Sequence, residues 1–168
     1  MASPEQLASL KELYEQAKAS EHIWPEMAAC EAALESAWLT SELARDYNNL
    51  FGQKQSATPE FHTVKLPTKE YIGPHNPSAE DKADSKNWVT IWQSFVWFPT
   101  KTAAYTERMS LLERLQGVYP EYRAALLAGT PEAYISSVSK RWSTDPDRAT
   151  KVLQIYHAHR DVLGGSHG

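Results

Sequence analysis

The chain is poor in cysteine, in glycine and in excess positive charge, and each shortage closes off a class of function. Cys30 is its only cysteine, so neither an internal disulfide nor a multi-cysteine metal site can form. Seven glycines are spread over 168 residues, and none builds a phosphate-cradling loop or a Gly-x-Ser-x-Gly nucleophile elbow. Lys and Arg number 17 against 21 Asp and Glu, a net charge of −4. That balance argues against a nucleic-acid binder, which shows a basic footprint. No run approaches the roughly 18 apolar residues a membrane helix requires, so no membrane insertion is expected. The start, Met-Ala-Ser-Pro-Glu-Gln, lacks the basic segment and apolar run of a secretion signal. His157 and His159 stand two apart on a helical pattern, face different directions and make a poor metal pair. No metal or organic cofactor is expected.

What is present is a chain built for a core. Apolar residues make up 42% and aromatics 11%, which is outside the disordered range. The length fits one domain over residues 1–168. Six residues are tryptophan, and the aromatics cluster at Trp88, Trp92, Phe95, Trp97 and Phe98. Trp24 has no reading beyond helix packing.

The pattern is helical, then β, then helical. Ser3-Pro4 with Gln6 forms a capping-box start, followed by Leu7, Leu10, Tyr14 and Ala17 at helical spacing. Pro25 opens a second helix with Met27, Cys30, Leu34 and Trp38 on its apolar face. Cys30 reads as a small core residue. A short polar helix follows over 41–45, then a turn with apolar anchors at 47–52. Residues 53–87 are polar and hold Pro59, Pro67, Pro74 and Pro77. Within them, 63–72 alternates as a strand and 73–86 reads as a loop. Residues 87–98 are β-branched and aromatic and suit a second strand. The two pair as an antiparallel lobe over about 60–98, with a long, mobile tip. Further helices are expected from Thr100 to Leu115, from Pro120 to about Ala128, from Pro131 to Arg141, and after Asp145-Pro146. The class is α+β and predominantly α-helical: a helical body and a small β-hairpin lobe bordering a cleft, a natural ligand site.

Two carboxylates stand out. Glu35 lies in Ala-Ala-Leu-Glu-Ser-Ala-Trp, where Leu34 and Trp38 would desolvate it, and desolvation suits a general acid near neutral pH. The competing reading is an ordinary solvent-facing helical glutamate. Glu70 lies on the lobe in Leu-Pro-Thr-Lys-Glu-Tyr and by itself reads as a strand-surface residue. Two carboxylates across a cleft are the minimal machinery for glycoside hydrolysis, and flat aromatics pack on sugar rings as readily as on each other. Alternation puts Trp88, Trp92 and Phe98 on one side of the strand and Phe95 and Trp97 on the other, with at least half of them core. Lys101 and Arg108 flank a helix face without a basic run.

Read together, these blocks resemble glycoside hydrolase family 73, the peptidoglycan-cleaving glucosaminidases. Ala33-Leu34-Glu35-Ser36-Ala37-Trp38 is similar to that family's Ala-Leu-Glu-Ser-Gly-Trp. Ser41-Glu42-Leu43-Ala44 and Tyr47-Asn48-Asn49-Leu50-Phe51-Gly52 follow in the family's order. Thr68-Lys69-Glu70-Tyr71 matches its hairpin segment, and Thr144-Asp145-Pro146 its Tyr-Ala-Thr-Asp-Pro block. The resemblance runs from about Ile23 to Val162. It implies a lysozyme-like fold and hydrolysis of the N-acetylglucosaminyl β-1,4 bond of murein glycan strands. It places the general acid at Glu35 and an assisting carboxylate at Glu70, with Trp38, Tyr47, Asn49, Phe51, Trp97 and Trp142 around the glycan. Alternatives are a muramidase or lytic transglycosylase on the same polymer, or a non-catalytic glycan-binding module of the same fold.

Two departures stand against the family pattern. Ala37 replaces its glycine, adding a methyl near the acid. Trp142 replaces its cleft tyrosine, offering a stacking face and one N–H donor but no acceptor. Asp145 reads as a cap for the last helix. The negative charge means that affinity for murein, itself acidic, rests on shape, hydrogen bonds and stacking. The expected setting is the cell wall, acting as a monomer, with phage-encoded origin or retention in the cytoplasm before release as routes for a chain without a signal.

Overall fold

The computed structural model describes residues 2–55 and 61–164. Pro59 and the expected start of the lobe at residue 60 lie outside them. The helices begin where the caps say they should. Ser3 accepts from the Gln6 backbone N–H at 3.1 Å, and the Gln6 side chain reciprocates, opening α1 at Pro4–Ala19. Pro25 starts α2, Pro25–Glu35. Ser41 caps α3, Glu42–Tyr47.

The hairpin follows: β1, His62–Tyr71, pairs antiparallel with β2, Trp88–Trp97, so that Glu70 lies opposite Val89 and Pro67 opposite Trp92. Proline is tolerated there because the sheet has two strands and β1 is an edge. The expected loop between them instead holds α4, Ala79–Ala83, opened by a Ser78–Asp81 capping box, and a 3-10 turn over Ser85–Asn87. Thr100 caps α5, Lys101–Leu115; α6 is Pro120–Leu126, ending two residues before the expected stop; Thr130 caps α7, Pro131–Trp142. The last helix, α8, spans Arg148–Ala158 with Asp147 as its N-cap residue. Asp145 supports that start from outside, accepting from the Asp147 N–H at 2.9 Å.

The core explains the amphipathic pattern. Leu10, Leu13 and Ala17 of α1, Ala104, Tyr105 and Leu112 of α5, and Ile135 and Val138 of α7 are buried together. At the centre is α2, in which every residue from Met27 to Ala33 is buried. Its four alanines let neighbouring helices close in on all sides, as expected of a helix apolar around its circumference. Cys30 is among them as a free thiol, pushed up in pKa by burial first and then by Glu31. The exception to the apolar rule is Glu31, fully buried.

Helix α2 stops earlier than its apolar spacing implies. Ser36 is its C-cap, and Ala37, Trp38 and Leu39 then adopt φ of +50°, +58° and +69°. This is a short left-handed turn, closed by Ser41 N–H to Ser36 O at 3.0 Å and Leu39 N–H to Ser36 Oγ at 2.9 Å. Trp38 is therefore off the helix face, half-buried against the core, edge-on to His159.

The lobe is anchored at its base. Asn49, 1% exposed, donates through Nδ2 to Gln53 O and Val96 O and accepts from the Gln53 N–H, all at 2.9 Å. Lys54 makes an isolated bridge with Phe95. The base of β2 is thus paired along both edges, by β1 and by residues 53–55, which draws it into the body, and Phe95 and Val96 are buried in succession. Simple alternation fails there for that reason. Phe98 is buried beyond the strand end, Trp88 is half-buried, while Trp92 is 71% and Trp97 45% exposed.

Candidate active site

Between body and lobe lies a cavity of about 1020 Å³. Glu35 reaches it from the C-terminal end of α2 and Glu70 from β1, so two carboxylates far apart in sequence line one space. Phe51, Phe95, Trp142 and Asp145 line it as well.

Glu35 is a carboxylate at a helix C-terminus, where the helix dipole disfavours negative charge. The structure answers that with a cation. Arg148, the first residue of α8, donates from Nε to Glu35 Oε1 at 2.8 Å. The apolar surround expected from Leu34 and Trp38 is thus replaced by a buried guanidinium. The Glu35 side chain is 25% exposed and Arg148 is 1% exposed.

Behind this pair sits a network that sequence reasoning missed. Glu31, one helical turn before Glu35, accepts from Arg108 Nη2 at 2.6 Å, Arg148 Nη2 at 2.8 Å and the Tyr134 hydroxyl at 3.0 Å. Burial opposes its charge, and the two guanidiniums more than offset that, holding Glu31 down to about 2. A glutamate inside an alanine-rich helix was the available signal, since a buried carboxylate demands partners. Arg108, read as a helix-face residue, is fully buried. Its guanidinium stacks over Phe51 at 4.6 Å and Trp142 at 4.2 Å, and among the described residues its Nε and Nη1 have no hydrogen-bond partner.

Glu70 is tied to both sides of the cavity. Oε1 pairs with Lys54 Nζ at 3.1 Å and Oε2 accepts from Thr144 Oγ1 at 2.9 Å. Thr144 belongs to the segment after α7, so Glu70 joins lobe to body.

The six residues expected around a glycan separate into two groups. Phe51 and Trp142 line the cavity. Trp142 donates its indole N–H to Phe51 O at 2.8 Å, so that donor is committed within the protein. Trp38, Tyr47, Asn49 and Trp97 are outside the lining. Asn49 spends its side chain on the lobe anchor, and Tyr47 packs edge-on against Trp97 with ring centroids 5.0 Å apart. Among the described residues, no group of three His, Cys, Asp or Glu side chains is placed to hold a metal, and no helix is long and apolar enough to cross a membrane.

Comparison with known proteins places this architecture. The family model described as mannosyl-glycoprotein endo-beta-N-acetylglucosaminidase matches residues 11–161. The exo-glucosaminidase LytG of Bacillus subtilis is 29% identical over 136 residues, covering 80% of this chain and 43% of LytG; the chain thus spans less than half of that relative. In fold, the catalytic domain of the autolysin Auto from Listeria monocytogenes superimposes with a TM-score of 0.68 at 24% identity, over 98% of this chain and 89% of Auto's. The glycoside hydrolase domain of Salmonella typhimurium FlgJ gives 0.64 at 21% identity, over 98% of this chain and 92% of FlgJ's. The lysozyme-like helical body with a hairpin lobe, its cavity bordered by the motif blocks around Glu35, Phe51, Glu70 and Asp145, and a family match over most of its length make this chain a member of the glucosaminidase family, glycoside hydrolase family 73.

Proposed function

We propose that this chain is a single catalytic domain that hydrolyses the N-acetylglucosaminyl β-1,4 bond of peptidoglycan glycan strands, acting as a monomer on the cell wall. The observation that carries the reading is the convergence of Glu35 from the body and Glu70 from the lobe on one cavity. A carboxyl pair flanking the scissile bond is what glycoside hydrolysis requires. Glu35, protonated, gives its proton to the glycosidic oxygen as the C1–O bond breaks and that oxygen takes the electron pair. Water supplies the hydroxyl to C1, and its proton passes to Glu70. Solvent then returns a proton to Glu35 and takes one from Glu70. Glu70 has the capacity, because a carboxylate offers about four acceptor sites and its two donors, Lys54 and Thr144, occupy one on each oxygen. In the substrate-assisted variant the 2-acetamido group attacks C1, and Glu70 steadies the charge instead.

Phe51 and Trp142 shape the cavity wall against the sugar. The loss of the family tyrosine at Trp142 does not speak for an inert binding module. The indole is engaged with Phe51 and Arg108, so it braces the site.

The test is clearing of purified murein. Glu35→Gln lowers turnover by about 10²–10⁴-fold, the contribution of a positioned acid, and undiminished activity in that variant overturns the assignment. Reducing-end analysis decides the bond. N-acetylglucosamine at the new ends supports the reading; N-acetylmuramic acid or its anhydro form marks a muramidase or a transglycosylase.

A further inference from the structure

Arg148 is fully committed beside the cavity. Each of its three guanidinium nitrogens has a different partner: Nε gives to Glu35 Oε1 at 2.8 Å, Nη1 to Ser139 Oγ at 2.9 Å, and Nη2 to Glu31 Oε2 at 2.8 Å. A planar fork held at three points cannot rotate. Glu35 Oε1 is therefore pinned, while Oε2 has no hydrogen-bond partner among the described residues. The carboxylate that lines the cavity has one oxygen fixed and one left for a ligand.

Charge adds a second consequence. Glu31, Glu35, Arg108 and Arg148 form a chain of ion pairs, two negative and two positive. The two carboxylates and two guanidiniums balance one another. Arg108 and Arg148 are buried, where an uncompensated charge is costly. The carboxylates of Glu31 and Glu35 supply that compensation. Arg108 cannot take over from Arg148: it is wedged between Phe51 and Trp142 and, among the described residues, hydrogen-bonds only to Glu31.

We propose that Arg148, backed by Glu31 and Ser139, is the positioning residue of the acid: it fixes the orientation of Glu35 so that Oε2 is presented to the glycosidic oxygen. This inference rests on the reading of Glu35 as the general acid. It predicts a transition-state effect with little change in substrate binding.

The experiment uses soluble glycan chains, stripped of peptide stems, with thermal melts of every variant. Arg148→Lys keeps the charge and loses the fork; Arg148→Gln loses both; Ser139→Ala removes one support. The expected result is a kcat lower by about tenfold in Arg148→Lys, by more in Arg148→Gln and by a few-fold in Ser139→Ala, each with KM within about twofold of the parent. Wild-type kcat in a folded Arg148→Lys, or a raised KM with kcat unchanged, overturns the proposal. Should the Arg148 variants fail to fold, Ser139→Ala decides: an unaltered kcat overturns it, and a lowered kcat at constant KM supports it. Glu35→Gln is measured in parallel. If that variant still turns over, the acid assignment falls and takes this inference with it. If it is dead while Arg148→Lys matches the parent, only the role of Arg148 falls.

Discussion

Ala37, Trp38 and Leu39 hold three successive left-handed conformations directly after the proposed acid. For residues with a Cβ, each such conformation costs roughly 1–2 kcal/mol. The turn persists because Ser36 and its neighbours satisfy the backbone: Trp38 N–H bonds to Ala33 O at 2.8 Å and Thr40 Oγ1 to Ala37 O at 2.6 Å. Its effect is to end α2 at Glu35, so that the carboxylate stands at the helix terminus facing Arg148. The family's glycine at Ala37 is thus a matter of backbone conformation more than of an added methyl. Ala37→Gly is expected to stabilise the fold by about 1 kcal/mol, raising the melting temperature by about 2–4 °C. A thermal melt checks it, and a lower melting temperature in that variant would show that the turn is unstrained.

Among the elements, the hairpin tip departs most from a plain loop. Gly73 lets it fold: a Cβ there would lie 2.5 Å from the Tyr71 hydroxyl and 2.6 Å from Asn87 Cγ. The Trp88 indole N–H then bonds to Lys82 O at 2.8 Å, and Asn87 Nδ2 to Asp81 O at 2.7 Å, tying α4 to the start of β2. Lys82 in turn forms an ion pair with Asp147 at the N-terminus of α8, a tie between the lobe tip and the body beside that of Glu70 with Thr144. Both partners are partly exposed, so the pair contributes no more than about 1 kcal/mol. Asp147→Ala is expected to speed hydrogen exchange of the amides over 78–88 several-fold, with the α1 and α2 amides unchanged. Equal rates in that segment would show that the ion pair does not hold the lobe.

For the molecule as a whole, acid is the vulnerability. Glu31 is held down to about 2, so its network contributes fully above the ordinary carboxylate range and loses that contribution as pH falls from about 4.5 toward 2. His22 is lowered to about 4, by burial first and then by the Arg108 charge. The unfolded chain therefore takes up its proton earlier than the fold does, and stability falls between about 6.5 and 4. The melting temperature is expected to decline across both windows, and His22→Phe to flatten the upper one, since phenylalanine keeps the packing on Phe51 and Tyr105 without a titrating group. A pH series of melts in which both proteins decline alike between 6.5 and 4 would exclude His22 as the cause. The same scale shows where the −4 chain keeps positive charge: Lys54, Lys69, Lys140 and Arg141 line the cavity against Glu35, Glu70 and Asp145. The field at the site is local and differs in sign from that of the whole.

Sequence alone determined where most elements begin, because caps, prolines and hydrophobic spacing act over a few residues: Ser3, Pro25, Ser41, Thr100 and Thr130 each start a helix where the local pattern says. It also singled out Glu35 and Glu70, through the order of short motifs. Only the tertiary structure decided which partners those carboxylates have. Arg148 meets Glu35 across 113 positions and Arg108 meets Glu31 across 77, and no local pattern encodes such a meeting. The same holds for Asn49 and Trp142, whose polar atoms are spent on Val96 and Phe51. Periodicity says that a side chain is buried; only the packed fold supplies the neighbour that makes its burial tolerable.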